Sequence, residues 1–237
     1  MISFIICALN EEKNILNTLQ EVKKTNIDNK IFDYEIICVD DGSKDQTNSI
    51  LREYQDQNKE INIKIVKNKK NLGYGASVKI GSTYASNEFI TWIPGDNSHP
   101  SSEISKLIFL IGKYDIISTF YSNSHERDPK RKYFTSFYTP ILNFIFQKKL
   151  PYYNGVTIIR TNIFKECNIQ TNSHAFSLEM WMKIFLSKKY SFIFVPTLLK
   201  DRIDGASAFK FINSVKVIFT TIKLIFYYLY KRYFKIY

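Results

Sequence analysis

Val39-Asp40-Asp41-Gly42-Ser43-Lys44-Asp45-Gln46-Thr47 closes the apolar run Glu35–Val39 and opens an amphipathic segment that continues to about Gln57. An apolar run ending in acids and a glycine, with helical periodicity straight after, reads as strand, tight turn and helix. Gly42 suits the turn, and Ser43 or Asp45 suits the cap of the helix. One Asp serves such a turn. A second carboxylate is left to accept hydrogen bonds from ribose hydroxyls or a base N–H, and the string alone leaves both readings open.

The same unit recurs on either side. Ile2–Leu9 reads as a strand and Glu11–Lys24 as a helix with Ile15, Leu16, Leu19 and Val22 on one face. Ile61–Val66, Phe89–Ile93 and Tyr114–Thr119 read as further strands, with helices over Tyr74–Ala85 and from about Ser101 to Gly112. Strands that are apolar throughout and alternate with helices predict an α/β domain, a mostly parallel, doubly wound sheet with helices on both faces. Ligands of such sheets bind beyond the carboxyl ends of the strands. Asn10-Glu11-Glu12, Asp40-Asp41-Gly42-Ser43, Asn71-Leu72-Gly73-Tyr74-Gly75 and Pro94-Gly95-Asp96-Asn97-Ser98-His99-Pro100 all fall there.

Each loop has its own chemistry. The helix behind Gly73-Tyr74-Gly75 offers free N–H groups and a dipole that favour an anion, although a Gly-x-Gly pair is usually only a turn. It is neither a P-loop nor a dinucleotide fingerprint. Asp96 could give one oxygen to a hard cation such as Mg²⁺ or Mn²⁺, with Asn97, Ser98 or His99 assisting. Such an ion neutralises a departing diphosphate.

Composition sets the outer limits. The chain has 237 residues, 45% hydrophobic and 23% charged, which fits an ordinary globular protein. A net charge of +11 suggests an acidic partner. Nucleic acid is not expected, because zinc-finger spacing, an RNA-recognition aromatic signature and compact Arg-rich runs are all missing from the sequence. Cys7, Cys38 and Cys167 are widely spaced and form no metal or disulfide pattern, which fits a reducing, cytoplasmic location. The first apolar run carries no basic leader or cleavage site, so a secretory signal is not expected.

Ala8-Leu9-Asn10-Glu11-Glu12, the Asp-Asp-Gly-Ser-x-Asp-x-Thr string, Asn71-Leu72-Gly73-Tyr74-Gly75-Ala76 and Gly95-Asp96 resemble, in order, the motifs of family 2 glycosyltransferases with the GT-A fold. The resemblance is strong over residues 2–100, weaker to about 207, and closest to the polyprenyl-phosphate (dolichol-phosphate mannose synthase-like) branch. It implies a nucleotide-sugar pocket lined by Ala8, Asn10, Glu11, Asp40, Asp41, Gly73 and Gly75, and a metal held by Asp96 with Ser98. Two departures stand out. Cys7-Ala8-Leu9-Asn10-Glu11 lacks the Pro and aromatic ring of the family's Pro-x-Tyr-Asn-Glu, and Pro94 occupies the first acidic position of its Asp-x-Asp.

The resemblance divides the chain into a GT-A domain over 1–207, with a donor half 1–119 and an acceptor half 120–207, and a C-terminal amphipathic helix over 208–237. The segment 120–150 is basic and aromatic, and Arg127 and Arg131 could contact an acceptor phosphate or lipid headgroups; Phe144 and Phe146 read as a core face. Similar enzymes often place an acid near the acceptor where Glu179 falls, sometimes as general base. A sugar hydroxyl needs such a base; a lipid phosphate does not. Arg202 and Ser207 match an Arg-x-x-Gly-x-Ser string near the acceptor and diphosphate side, and a guanidinium suits a phosphate clamp. From Gly205 to Tyr237 there are six basic residues and no acid. That pattern reads as an interfacial helix on an anionic leaflet, or as a helix packed on the domain, a membrane-protein partner or a second copy.

The expected activity is inverting transfer of a hexosyl unit from a nucleotide-sugar to a polyprenyl phosphate at the cytoplasmic membrane face. Transfer to a saccharide hydroxyl, with a lipid-linked saccharide as acceptor, is one alternative. A non-catalytic nucleotide-sugar-binding protein with a decayed metal site is the other.

Overall fold

Strands that are apolar at every position have no face to give to water, so they must be covered on both sides. The computed structural model describes residues 1–123, 129–200 and 211–234, with the side chains of all these except 129–135 and 211–216. Among them, β1 (Ile2–Ala8), β2 (Tyr34–Asp40), β3 (Asn62–Lys67), β4 (Phe89–Pro94), β5 (Ile116–Tyr121), β6 (Thr157–Arg160) and β7 (Phe192–Thr197) form one sheet in the order β3-β2-β1-β4-β6-β5-β7. β1 lies in its interior beside the central strand β4, with Ile5 paired to Ile37 of β2 and Trp92 of β4. Only β6 runs antiparallel, between β4 and β5. The other six described strands point their carboxyl ends at a single edge.

Helices α1 (Ile15–Asp28), α2 (Thr47–Gln57), α3 (Tyr74–Tyr84), α4 (Ser101–Ile108), α5 (Pro129–Phe146), α6 (Thr161–Glu166), α7 (Phe176–Ser187) and α8 (Phe211–Phe234) cover the sheet. Side chains alternate along each strand, so the core falls into two layers. Phe4, Ile6, Ile36 and Cys38 meet Ile15, Leu19 and Val22 of α1, Leu51 of α2 and Leu107 of α4. Ile5, Cys7, Ile37 and Trp92 face the other way, toward Val78 of α3, Phe164 of α6 and Phe176 and Trp181 of α7.

Several features differ from the sequence reading. The first helix starts at Ile15 rather than Glu11, because residues 10–12 are held by the neighbouring loop. α4 stops at Ile108, short of the expected Gly112. β6 was not read at all: it has four residues and no helix before it to set the strand–helix rhythm. Phe146 is buried at 1% exposure, whereas Phe144 is 86% exposed. Residues two apart on a helix point to nearly opposite sides, so the two cannot share a core face.

α8 packs on the domain along one stripe. Tyr228 is buried against Phe146, edge to face at 4.6 Å, and the Thr221 hydroxyl lies 3.2 Å from that of Tyr138. The rest of the helix surface leaves Phe219, Phe226, Tyr230 and Tyr233 exposed. Among the described residues no helix is long and apolar enough to cross a membrane.

At the edge opposite the strand ends, Glu35 ties three strands together. Its Oε1 accepts from Ser3 Oγ and the Ser86 N–H, both at 2.7 Å, and its Oε2 from Lys64 Nζ at 2.8 Å. Burial raises its pKa, but the Lys64, Ser86 and Ser3 hydrogen bonds outweigh it and bring the carboxyl down to about 2 from 4.5. A depressed carboxyl stabilises the fold above its unfolded pKa and loses that contribution as pH falls through its folded value. Glu35→Gln should therefore cost about 2 kcal/mol at pH 7, measured by urea unfolding, and the difference from the unsubstituted protein should shrink as pH falls from 4.5 toward about 2.

Candidate active site

The strand-end loops are held by side chains rather than by their own turns. The Asn10 N–H donates to Ser43 Oγ at 2.9 Å, the Glu11 N–H to Thr47 Oγ1 at 2.8 Å and the Glu12 N–H to Asp45 Oδ2 at 3.1 Å. In return, Asn10 Oδ1 accepts the Lys44 N–H at 2.9 Å and Glu12 Oε2 the Gln46 N–H at 3.0 Å. Alternate residues of the Ser-x-Asp-x-Thr string thus clasp three consecutive amides after β1. Neither Ser43 nor Asp45 is the N-cap of α2: Gln46 stands there without a side-chain cap bond. Asn10 has φ of 55°, a left-handed conformation that asparagine tolerates well.

The two aspartates have different tasks. Asp40 is fully buried; its Oδ1 accepts the Ser43 N–H at 2.8 Å, and its Oδ2 has no hydrogen bond, with Lys67 Nζ at 3.9 Å. Asp41 receives Asn68 Nδ2 and the Leu72 N–H at 2.8 Å and the Gly73 N–H at 2.9 Å. It is the anchor of the glycine loop.

Gly73 and Gly75 make room for protein backbone. Gly73 has φ of 101°, and a Cβ there would meet the Asn172 carbonyl oxygen at 2.5 Å; on Gly75 it would meet the Ser173 oxygen at 2.7 Å. The Ala76 N–H, in the first turn of α3, already donates to Asn172 O at 3.2 Å. The helix start expected to face an anion is thus partly covered by residues 171–173. Glu179 holds that segment. It is 3% exposed, and its carboxylate accepts the Gln170 N–H at 3.0 Å, the Thr171 N–H at 2.8 Å and Lys183 Nζ at 2.6 Å. Burial acts to raise its pKa, but the Lys183 bond and the two amides prevail and lower it. With these donors the carboxylate acts as a clamp on the loop.

Asp96 lies past β4 on a loop pinned from several sides. The Gly95 N–H donates to Cys7 O at 2.9 Å, the Asn97 N–H to Thr18 Oγ1 at 2.9 Å and the Lys200 N–H to Ser98 O at 3.1 Å. Asp96 Oδ1 accepts Ser98 Oγ at 2.6 Å and the Ser98 N–H at 3.1 Å. Ser98 Oγ is 3.0 Å from His99 Nδ1, and His99 Nε2 is 3.2 Å from the Tyr121 hydroxyl. Tyr74 stacks on His174 with centroids 4.9 Å apart. Burial, then the charges of Cys7 and Asp96, push the Tyr74 hydroxyl pKa well up. Among the described residues no group of three or more His, Cys, Asp or Glu could hold a metal.

The sheet edge thus gathers Ala8, Asn10, Glu11, Asp40, Asp41, Asp96 and Ser98. Glu179 enters this region only through the loop it holds. Arg127, Arg202 and Ser207 lie outside the described residues, as does the side chain of Arg131 on α5. The sequence places the end of this strand at Thr119 and so gives no sign of Tyr121; two more residues continue β5 and bring the ring to the edge. The Thr47→Val substitution keeps shape but removes the acceptor of the Glu11 amide. Urea unfolding should show a loss of about 1–2 kcal/mol.

Known proteins resemble this chain in sequence and in fold. Residues 3–167 match the model of glycosyl transferase family 2. A Methanocaldococcus jannaschii protein of unassigned activity is 28% identical over 197 residues, covering 78% of this chain and 81% of that one. The Homo sapiens dolichyl-phosphate beta-glucosyltransferase is 28% identical over 110 residues, 45% of this chain and 34% of that enzyme. The chain therefore spans about a third of the length of that glucosyltransferase. Among solved structures, glucosyl-3-phosphoglycerate synthase from Mycobacterium tuberculosis, in complex with Mn²⁺, UDP and phosphoglyceric acid, superposes with a TM-score of 0.74 at 15% identity, covering 95% of this chain and 78% of that one. A family match over more than half of the chain, on a GT-A sheet with the motif loops at its carboxyl edge, means that this protein belongs to glycosyl transferase family 2 and is a glycosyltransferase.

Proposed function

We propose that the enzyme moves a hexosyl unit from a nucleotide-sugar to a polyprenyl phosphate at a membrane surface, with inversion at the anomeric carbon. The observation that carries this reading is the gathering of Asn10, Glu11, Asp40, Asp41 and Asp96 on one sheet edge. The buried, unbonded Asp40 Oδ2 is an acceptor suited to an N–H or O–H of the nucleoside. Asp96 and Ser98 offer hard oxygens within 2.6 Å of each other, a donor set that fits Mg²⁺ or Mn²⁺ where substrate phosphates complete the shell. That ion, when bound, offsets charge on the leaving diphosphate.

Two features favour the lipid phosphate over a saccharide hydroxyl. A phosphate oxygen is already an anion and attacks without a general base, which agrees with Glu179 being engaged elsewhere. The dolichyl-phosphate glucosyltransferase relatives act in the same acceptor class by name. Arg202, two residues past Lys200, whose amide bonds to Ser98 O, is assigned to the diphosphate; Arg127, Arg131 and Ser207 are assigned to the acceptor. The exposed Phe219, Phe226, Tyr230 and Tyr233 of α8, beside Lys223 and Lys231, suit shallow insertion into an anionic leaflet.

Two experiments test the reading. Mass spectrometry after incubation with a panel of nucleotide-sugars, polyprenyl phosphate and Mn²⁺ should find a glycosylated lipid phosphate. Asp96→Asn should cut its formation by about 10²–10³-fold. Product on saccharide acceptors alone would overturn the lipid assignment, and nucleotide binding without transfer or donor hydrolysis would overturn the enzymatic one. In flotation assays the protein should bind vesicles rich in anionic phospholipid and be released by salt. Phe226→Glu with Tyr230→Glu should weaken that binding by about 10-fold or more.

A further inference from the structure

We propose that His99 and Tyr121 are positioning residues that fix the Ser98 hydroxyl, and through it the Asp96 carboxylate, for the divalent ion. This rests on the reading that Asp96 and Ser98 hold that ion. The proton directions follow from the chemistry of the chain's end. A carboxylate only accepts, so the Ser98 hydroxyl must donate to Asp96 Oδ1, 2.6 Å away. With its one proton committed, Ser98 Oγ can only accept from His99 Nδ1 at 3.0 Å. Nδ1 therefore carries a proton, and in the neutral imidazole Nε2 is then the acceptor for the Tyr121 hydroxyl, 3.2 Å away. The whole chain is oriented from β5 toward Asp96.

Its two ends are independently braced. The Tyr121 ring meets Tyr152 edge-on at 5.4 Å, and Tyr152 is itself buried. At the other end the Asn97 and Gly95 amides and the Ser98 carbonyl are tied to α1, β1 and the segment after β7. The backbone of the loop is thus fixed, and the remaining freedom is the rotamer of Ser98. His99 removes it: with Oγ held between Asp96 and Nδ1, its remaining lone pair has one direction. Where Pro94 stands in place of a first acid, a Ser98 oxygen of fixed direction has more of the coordination to supply. Groups behind metal ligands commonly govern affinity through such orientation.

The test reads metal binding without turnover. Mn²⁺ is titrated by electron paramagnetic resonance, with UDP or GDP present, against the unsubstituted protein, Asp96→Asn, His99→Ala, His99→Asn and His99→Gln. His99→Ala should weaken Mn²⁺ binding by about 10-fold or more. His99→Asn places an amide N–H near the position of Nδ1 and should restore most of it. His99→Gln matches Nε2 instead and should not, although it preserves more bulk. Tyr121→Phe should give a smaller loss in the same direction, and metal-free nucleotide binding should be unchanged throughout. Equal Mn²⁺ affinity in His99→Ala and the unsubstituted protein, with Asp96→Asn impaired, would overturn the positioning role and leave the metal site standing. Equal rescue by Asn and Gln would reduce His99 to a packing role. Mn²⁺ binding that survives Asp96→Asn would overturn the metal assignment beneath the proposal.

Discussion

Three backbone amides, those of Asn10, Glu11 and Glu12, are bonded by oxygens from Ser43, Asp45 and Thr47, and the sheet edge takes its shape from this contact. β1 and β2 are neighbours in the sheet, so their outgoing loops emerge side by side with unpaired polar groups. An amide left unpaired in such a half-buried place costs about 1–3 kcal/mol. The segment 43–47 bends into the first residue of α2, with Gln46 at φ of -80° and ψ of 6°, and this brings the oxygens of 43, 45 and 47 onto consecutive donors. The clasp delays α1 until Ile15 and opens a shelf between the first two strand ends.

A second constraint joins the halves of the chain. Gly73 and Gly75 admit the backbone of residues 171–173 to distances no side chain would permit, and Glu179 holds that backbone from beneath. A buried carboxylate would be costly alone, but two amides and Lys183 replace its water. Lys79 of α3 adds bonds to Gln170 O at 2.9 Å and Asn172 Oδ1 at 2.7 Å. The glycine loop of residues 73–75 is thereby packed against residues 170–173, so contacts run across a division drawn near residue 119.

The sequence made the first five strands legible because each has an apolar run, which in β1, β2 and β4 is buried almost throughout, and an amphipathic segment follows each of the first four. The strand-end loops were legible for a related reason, since acids and glycines interrupt those runs abruptly. What was hidden depended on contacts distant in sequence. Nothing near Glu179 signals that its oxygens meet the amides of Gln170 and Thr171, nor near Gly75 that a Cβ there would meet the Ser173 carbonyl oxygen. β6 is too short to show a period, and its antiparallel direction is set by β4 and β5 on either side. In the sequence His99 stands only as one of three neighbours able to assist the ion, directly or through water; its bond to Tyr121 needs the true end of β5.

The distribution of acids explains how this edge can receive an anionic donor under the proposed reaction. A rim carrying Glu12, Asp40, Asp41, Asp45 and Asp96 would repel a diphosphate if those charges faced it unopposed. They do not. Asp41 is surrounded by three N–H donors, Asp45 and Glu12 are engaged across the clasp, and Asp40 has the Ser43 amide and Lys67 beside it. Each of these four carboxylates is thus matched by the partial positive charge of at least one N–H donor, and Asp40 by a lysine as well. Asp96 is tied differently, through a serine hydroxyl and a histidine. The divalent ion assigned to that carboxylate would reverse its sign toward the substrate, and the edge as a whole would then attract the phosphates that its sequence composition taken alone would drive away.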